Sequence, residues 1–402
     1  MIKSIEDFNL ENKKVIIRCD FNVPISNGVI TNDNRIKMSI RTINYAIKNN
    51  AKIILMSHLR KIKTEEDKVL NNLGIIIPKL EELLNKKVYF SNETRGNNLE
   101  NLINNLKNGD VLLIQNTRYE DLENKKESKN DEKLGKYWAS LGDIFINDAF
   151  GTAHRSHASN CGISSYLPSG IGYLIKKELD ILMPAIDMPK RPFTVILGGS
   201  KVSDKLQVIK NLVTKADYIL IGGAMANTFL KANNINVGIS KIEKDNNKTN
   251  GEFIDYIEFC KNIYKENKNK IILPSDAVVS KEFKDIKGIE KQINSLNDDD
   301  MILDIGENTI NEFEKIINIS KQIIWNGPLG VSEFENYSNG TKSICEILSK
   351  NKGITIIGGG DSAGAAINFG YKDKFTHIST GGGASLTLLE GKTLPAIEIL
   401  KN

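Results

Sequence analysis

Cysteine is scarce: 402 residues carry four, Cys19, Cys161, Cys260 and Cys345, far apart and with no CxxC pair. That spacing suggests neither a zinc site nor a secreted disulfide framework, and it fits a reducing, cytoplasmic location. No apolar run approaches the ~18 residues of a membrane span. The first ten residues interleave Lys, Glu and Asp with apolar residues, so no targeting or anchoring segment is expected. Charge of one sign is also missing. The 54 basic and 50 acidic residues leave a formal +4 with the basic ones dispersed, so no nucleic-acid or membrane partner is expected. Two glycine signatures are absent as well. Without GxxxxGK[ST] the P-loop mechanism does not apply, and without GxGxxG a nicotinamide-dependent dehydrogenase is disfavoured.

What is present is an ordinary folded composition, 40% hydrophobic and 26% charged. The length suits two or three domains at roughly 150 residues each. Short β-branched runs recur, most followed by a segment of helical period, which predicts parallel sheets with crossover helices. In the first half the runs are Val15–Arg18, Lys52–Met56, Val88–Phe90, Val111–Ile114 and Ile144–Ile146. In the second half they are Thr194–Leu197, Tyr218–Ile221, Ile271–Leu273, Met301–Asp304, Ile323–Trp325, Thr355–Ile357 and His377–Ser379. They are nearly continuous in Val, Ile and Leu, as expected when helices cover both faces. One sheet of all these strands would be unusually wide, so two sheets of about six are expected. The Pro- and Gly-rich stretch Ser164–Pro192 is the natural junction. Three polar stretches, Lys61–Lys68, Glu120–Lys136 and Lys241–Glu252, read as solvated surface.

Ligands of open parallel sheets bind beyond the carboxyl ends of the strands. In the first half those positions hold Asp20, Asn22, His58, Arg118, Asn147, Asp148, His154, Arg155 and His157. Arg35 precedes Ile36, Ile40, Ile43 and Ile47, a helical spacing. A cation at a helix start opposes the macrodipole, so an anion is expected nearby. Each arginine alone is equally well explained by structural pairing with a neighbour such as Asp148. Several basic groups at strand ends point instead to a pocket for carboxylate or phosphate.

The second half places glycines at the same positions: Gly198-Gly199-Ser200-Lys201, Gly222-Gly223, Asn326-Gly327-Pro328-Leu329-Gly330, Gly358-Gly359-Gly360-Asp361-Ser362 and Gly381-Gly382-Gly383. Glycine lets a backbone approach phosphate and aim N–H groups at it, so a nucleotide site is expected. The spacing of Val202, Leu206, Ile209 and Val213 predicts a helix with Lys201 and Lys205 one turn apart, a repulsion that polyphosphate would relieve. Asp361 suits Mg²⁺, with a helix N-cap as the lesser alternative. Glu333 suits a ribose hydroxyl or solvent. An anion pocket in one domain and a nucleotide pocket in the other predict a phosphotransferase whose closure excludes water. An alcohol acceptor would need a base, for which Asp20 or Asp148 is open, whereas a carboxylate acceptor needs none. A non-catalytic sensor of nucleotide and small acid is the remaining alternative.

These residues lie in strings that resemble the phosphoglycerate kinase family from end to end. The strings are Arg18-Cys19-Asp20-Phe21-Asn22-Val23-Pro24, Thr31-Asn32-Asp33-Asn34-Arg35-Ile36, Ser57-His58-Leu59, Asn147-Asp148-Ala149-Phe150-Gly151-Thr152-Ala153-His154-Arg155, Leu197-Gly198-Gly199-Ser200-Lys201-Val202, Trp325-Asn326-Gly327-Pro328, Gly358-Gly359-Gly360-Asp361 and Ser379-Thr380-Gly381-Gly382-Gly383-Ala384-Ser385.

The resemblance implies an α/β fold of two Rossmann-like, doubly wound parallel-sheet domains joined by a hinge. Residues 1–170 would bind 3-phosphoglycerate, residues 171–389 would bind nucleotide, and 390–402 would pack back on the first domain. It implies a cytoplasmic monomer of glycolysis that transfers phosphoryl reversibly between 1,3-bisphosphoglycerate plus ADP and 3-phosphoglycerate plus MgATP.

By the same resemblance, substrate would meet Asp20, Phe21, Asn22, Arg35, His58, Leu59, Arg60, Lys61, Arg118 and Arg155. Nucleotide would meet Lys201, Lys205, Gly222, Gly223, Asn326, Glu333, Gly359, Gly360, Asp361 and Ser362. Asp361 would place Mg²⁺, and Arg35, Lys201, Gly359 and Gly382 would face the transferring group. One departure stands out. Where the family carries Gly and then Arg or Lys after the His-Leu pair, this chain has Arg60 and Lys61. With no deletion, Lys61 takes the basic position and Arg60 replaces the glycine, which leaves open which side chain reaches the substrate.

Overall fold

The computed structural model describes residues 2–245 and 253–401. The chain divides into two compact units, Met1–Asp180 with Thr393–Asn402, and Ile181–Lys392. The division falls inside the helix Tyr173–Asp187, within the Pro- and Gly-rich junction.

The first unit is built on six parallel strands: β1 (Lys14–Arg18), β2 (Lys52–Met56), β3 (Val88–Phe90), β4 (Val111–Leu113), β5 (Ile144–Asn147) and β6 (Ser169–Ile171), in the order β3-β4-β2-β1-β5-β6. Alternate residues of one strand enter opposite cores. Val15, Ile17, Ile53 and Leu55 pack on one face, and Ile16, Ile54 and Met56 on the other. That two-sided burial is why these strands read as continuous apolar runs. Arg18 at the end of β1 is level with Met56 on one side and Asn147 on the other, so the loops after β1, β2 and β5 emerge side by side. The helix Asn34–Lys48 buries Ile36 and Ile43 against this core, as its apolar spacing predicts.

The second unit has its own six-stranded parallel sheet: β7 (Phe193–Leu197), β8 (Tyr218–Ile221), β9 (Ile271–Ile272), then β13 (Gln322–Asn326), β14 (Ile354–Gly358) and β15 (His377–Ile378), in the order β9-β8-β7-β13-β14-β15. Between them in sequence lie β10 (Asp276–Ser280), β11 (Ile289–Gln292) and β12 (Met301–Ile305), which form a separate antiparallel sheet. The Met301 run, expected in the parallel sheet, therefore belongs elsewhere. It pairs with the central strand β10, whose other neighbour is β11, Ile289-Glu290-Lys291-Gln292, a strand concealed by its charge.

Two further expectations are corrected. Glu120–Lys136 is not merely solvated surface, because Glu120, Asp121 and Glu127 are buried. Each has a partner that supports burial: Arg95 for Glu120, Arg118 for Asp121, and Ser159 for Glu127. The Lys241–Glu252 stretch lies partly outside the described residues. Lys201 and Lys205 do not share a helix turn either. Ser203–Lys205 form a turn closed by Lys205 N donating to Val202 O at 2.9 Å, the helix begins at Leu206, and Lys205 is its N-cap. Glu243 holds that turn by accepting from Ser203 N at 2.9 Å and Ser203 Oγ at 2.6 Å.

Candidate functional site

In the first unit, basic side chains gather where β1, β2 and β5 end. Arg35 occupies the second position of its helix, whose N-cap Asp33 makes no side-chain cap. The anion expected there is partly internal: Arg35 Nη1 donates to Asp20 Oδ2 at 2.6 Å. Asp20 Oδ1 accepts from Asn22 N at 3.2 Å, so both of its oxygens are engaged. Phe21 and Leu59 are wholly buried in the core of the first unit. Phe21 N donates to Ser57 Oγ at 2.8 Å, which binds the β1 loop to the β2 loop.

His58 is buried and lies 3.3 Å through Nδ1 from Arg18 Nη2. Burial first, then the charges of Arg18, Arg118, His157 and Arg35, hold its pKa well below the usual value, so the ring is neutral. The same causes show that these groups converge. A guanidinium can only donate, so Nδ1 is the acceptor and Nε2 carries the proton. His58 therefore contributes a hydrogen-bond donor rather than a cation.

Arg118 is buried, and its Nη1 reaches Asp121 Oδ2 at 2.9 Å and Ser128 Oγ at 2.7 Å. Arg155 is exposed, donates to His154 Nε2 at 3.1 Å, and forms no ion pair among the described residues. Asp148, considered as an arginine partner or a base, forms no ion pair among the described residues. It is fully buried and accepts from Leu174 N at 2.8 Å and Ile175 N at 3.2 Å, closing the start of a helix. Lys61 is exposed without an ion pair among the described residues. Arg60 occupies the left-handed region at φ 55°, so the turn keeps a conformation that glycine favours.

Reading the sequence missed the layer beneath. Arg18 is wholly buried, with Nε donating to Ser159 Oγ at 2.9 Å, while Ser159 N donates to the buried Glu127 at 2.9 Å. His157 lies 3.8 Å from the same carboxylate, yet burial and the Arg118 and Arg18 charges push its pKa down to about 3. Asn116 accepts from both Leu59 N and Arg118 N at 3.1 Å, joining the loops that follow β2 and β4. The available signal was an arginine closing an otherwise apolar strand.

In the second unit three loops are joined by backbone alone. Gly198 N donates to Asn326 O at 3.0 Å, Gly199 N to Pro328 O at 2.8 Å, and Gly223 N to Leu329 O at 2.9 Å. β7 and β13 are neighbours, and the chain leaves them in opposite directions across the sheet, the position where such folds bind ligands. Gly223 shows why glycine is needed: φ is 65°, and a Cβ would stand 2.7 Å from Gly199 N.

A cavity of about 770 Å³ opens there, lined by Gly199, Gly223, Pro328, Glu333, Gly360 and Asp361 among others. Gly222 and Gly359 are the N-caps of the helices Gly223–Ala232 and Gly360–Asn368, and neither helix has a side-chain cap. In the first of these helices Gly223 N and Met225 N already donate to Leu329 O and Gly199 O, whereas the first N–H groups of the second, at Gly360 and Asp361, remain available to an anion. Asp361 is the second residue of its helix, exposed, and not the N-cap.

Lys205 Nζ donates to Asn326 Oδ1, and burial lowers its pKa against the charges of Asp204, Asp361 and Glu390. Asn326 Nδ2 is buried without a partner. Ser362 Oγ donates to Gly358 O at 2.6 Å and accepts from Gly327 N at 3.3 Å, binding two glycine loops together. Lys201 is exposed outside the cavity lining, and Gly382 precedes the helix Gly383–Leu389 with φ 44°. No helix among the described residues is long and apolar enough to cross a membrane.

Comparison with known proteins agrees with this chemistry. Residues 5–392 match the phosphoglycerate kinase family model. The phosphoglycerate kinase of Fusobacterium nucleatum is 53% identical, with 100% of both chains covered. That of Enterococcus faecalis is 52% identical, with 98% of each covered. Among solved structures, phosphoglycerate kinase from Coxiella burnetii superposes with a TM-score of 0.87 at 36% identity, covering 100% of this chain and 99% of that one. The Pyrococcus horikoshii enzyme gives 0.85 at 33% identity, covering 100% and 98%. With relatives matched over the whole length and glycine loops and basic strand ends where a phosphotransferase needs them, the chain belongs to the phosphoglycerate kinase family.

Proposed function

We propose that the basic pocket of the first unit holds 3-phosphoglycerate or 1,3-bisphosphoglycerate, and that the glycine-lined cavity of the second holds ADP or ATP. The reaction is the family's reversible phosphoryl transfer in glycolysis, with a carboxyl group as acceptor. In the direction of ATP use, a carboxylate oxygen of 3-phosphoglycerate attacks the γ-phosphorus, the bond to the β-phosphate oxygen breaks, and ADP leaves. The acyl phosphate 1,3-bisphosphoglycerate remains.

The observation that carries this reading is the engagement of the candidate bases. Asp20 is committed to Arg35 and Asn22, and Asp148 is fully buried, with one oxygen accepting at a helix start. An ionised carboxylate acceptor has no proton to surrender, so a site without a free base suits it. Catalysis then rests on positioning and charge. Arg118, Arg155, Asn22 and the Nε2–H of His58 orient the substrate, with Phe21, Leu59, Arg60 and Lys61 framing the loops.

Arg35, Lys201 and the backbone N–H groups at Gly359 and Gly382 meet the transferring group. Lys205, Asn326, Gly222, Gly223, Gly360 and Ser362 hold the nucleotide, and Glu333 its ribose. Hinge bending brings the two ligands together and excludes water. The same reading has the enzyme acting as a cytoplasmic monomer.

Mg²⁺ fits this arrangement as an ion carried by the nucleotide. Asp361 is one exposed carboxylate on the cavity wall, and Mg²⁺ takes one or two carboxylates with phosphate oxygens and water. Bound there, the ion would neutralise phosphate charge.

The test is MgATP-dependent phosphorylation of 3-phosphoglycerate by the purified protein beside an Arg35→Ala variant. Turnover in the parent with a loss of about 10²- to 10³-fold in the variant is expected. No turnover in the parent, with both ligands bound, would leave a two-domain sensor instead.

A further inference from the structure

Among the described residues nine non-glycines have positive φ, and seven are asparagines, whose short amides tolerate that region. Arg60, at φ 55°, has no such local compensation. Two contacts made at a distance in sequence hold it instead. Its backbone N–H donates to Asn22 Oδ1 at 2.8 Å, and its Nη2 donates to Ile25 O at 2.7 Å. Ile25 begins a short antiparallel pair, Ile25–Ser26 with Val29–Ile30, immediately after the Asp20–Asn22 segment.

We propose that Arg60 is a positioning residue that sets the amide orientation of Asn22 for the acidic substrate. This rests on the substrate-site reading above and deepens it. The N–H of Arg60 can only donate, so it fixes Oδ1 as the inward atom of the Asn22 amide. Nδ2, with two N–H donors, is then the end left for a carboxylate or phosphate oxygen. The left-handed backbone aims the N–H, and the guanidinium holds that backbone by gripping the hairpin carbonyl. In this role Arg60 acts through Asn22, and its charge is spent on protein rather than on ligand.

The experiment is a double-mutant cycle of Arg60→Gly and Asn22→Ala, read by calorimetric titration with 3-phosphoglycerate and with MgADP. Glycine keeps the left-handed turn available and removes only the grip. Arg60→Gly is expected to weaken 3-phosphoglycerate binding by about three- to tenfold and to leave MgADP affinity at the parent value. Arg60→Lys, which can still reach the carbonyl, should recover part of the loss. In the Asn22→Ala background, Arg60→Gly should cost nothing further.

A loss of the same size in both backgrounds would mean that Arg60 contacts the ligand itself and would overturn the proposal. An Arg60→Gly protein that binds 3-phosphoglycerate like the parent would overturn it too. If the parent binds no 3-phosphoglycerate, the site reading fails along with the proposal. A parent that binds it and shows an additive cycle refutes only the role of Arg60.

Discussion

Arg35 Nη1 lies 2.6 Å from Asp20 Oδ2, and Asp20 Oδ1 in turn receives Asn22 N. One carboxylate therefore orients both a cation proposed to face the transferring group and the backbone of an asparagine proposed to bind substrate. Asp20→Asn keeps the size and one acceptor but removes the charge. It should lower kcat by about tenfold, less than Arg35→Ala, because the guanidinium remains while its aim loosens. Steady-state turnover with both substrates saturating checks this, and an unchanged kcat would separate Asp20 from the chemistry.

The state of His58 gives a second expectation. Burial and the Arg18, Arg118, His157 and Arg35 charges depress its folded pKa, so the unfolded chain takes up a proton first as pH falls below about 6.5. The contribution of His58 to stability is full above that value and declines below it. Nitrogen NMR of the ring should show the Nε2–H neutral form from pH 8 to pH 5.5. An imidazolium at pH 6 would contradict the geometry.

Asp148 carries the opposite sign. Burial raises its pKa to about 7, against lowering by Thr42 and the N–H groups of Ile175 and Leu174. The unfolded value is about 3.9, so the folded state holds the extra proton between roughly pH 4 and 7. Its stabilisation is full below that window and lost as pH rises through about 7. Asp148→Asn keeps an acceptor for the two N–H groups and cannot ionise. Urea midpoints should show the variant gaining on the parent between pH 5 and pH 8, and an equal offset at both would show that Asp148 does not titrate there.

Lys205 offers a separation of binding from stability. A desolvated ammonium held to Asn326 contributes little to folding, and an apolar isostere is tolerated at such sites. Lys205→Met should weaken MgADP binding by roughly ten- to hundredfold, while the thermal midpoint holds or rises. A falling midpoint with unchanged affinity would mark Lys205 as structural.

Much of this was legible in the sequence because parallel strands buried on both faces announce themselves, and the residues that follow them are the ligand-facing ones. β2, β3 and β8 were read to the residue. β6 was not, since Ser169-Gly170-Ile171 after Pro168 carries turn residues and too little apolar content to register. The antiparallel strand β11 was hidden because none of its residues is buried, and β10, though almost wholly buried, because the polar Asp276 and Ser280 at its ends leave only a short apolar run. The basic pocket was visible in outline, but its foundation was not. Arg18 can be buried only because Glu127 arrives from a polar stretch that looks like surface. Lys201 and Lys205 misled for a related reason: their apolar neighbours keep helical spacing, while Glu243 draws Ser203 into a turn.

The segment Thr393–Lys401 belongs to the first unit, where Leu394, Ala396, Ile397 and Leu400 are buried and Ala396 N donates to Ala153 O at 3.2 Å. A ribosome makes the whole second unit before it reaches these side chains. The first unit, begun earliest, therefore waits through that interval with part of its apolar surface uncovered, and the order of synthesis and the order of completion are reversed. A nascent chain of this kind depends on chaperone cover or on fast folding of the second unit, and a stop codon shortly after residue 392 would spare every nucleotide-site residue named above while leaving the first unit unfinished.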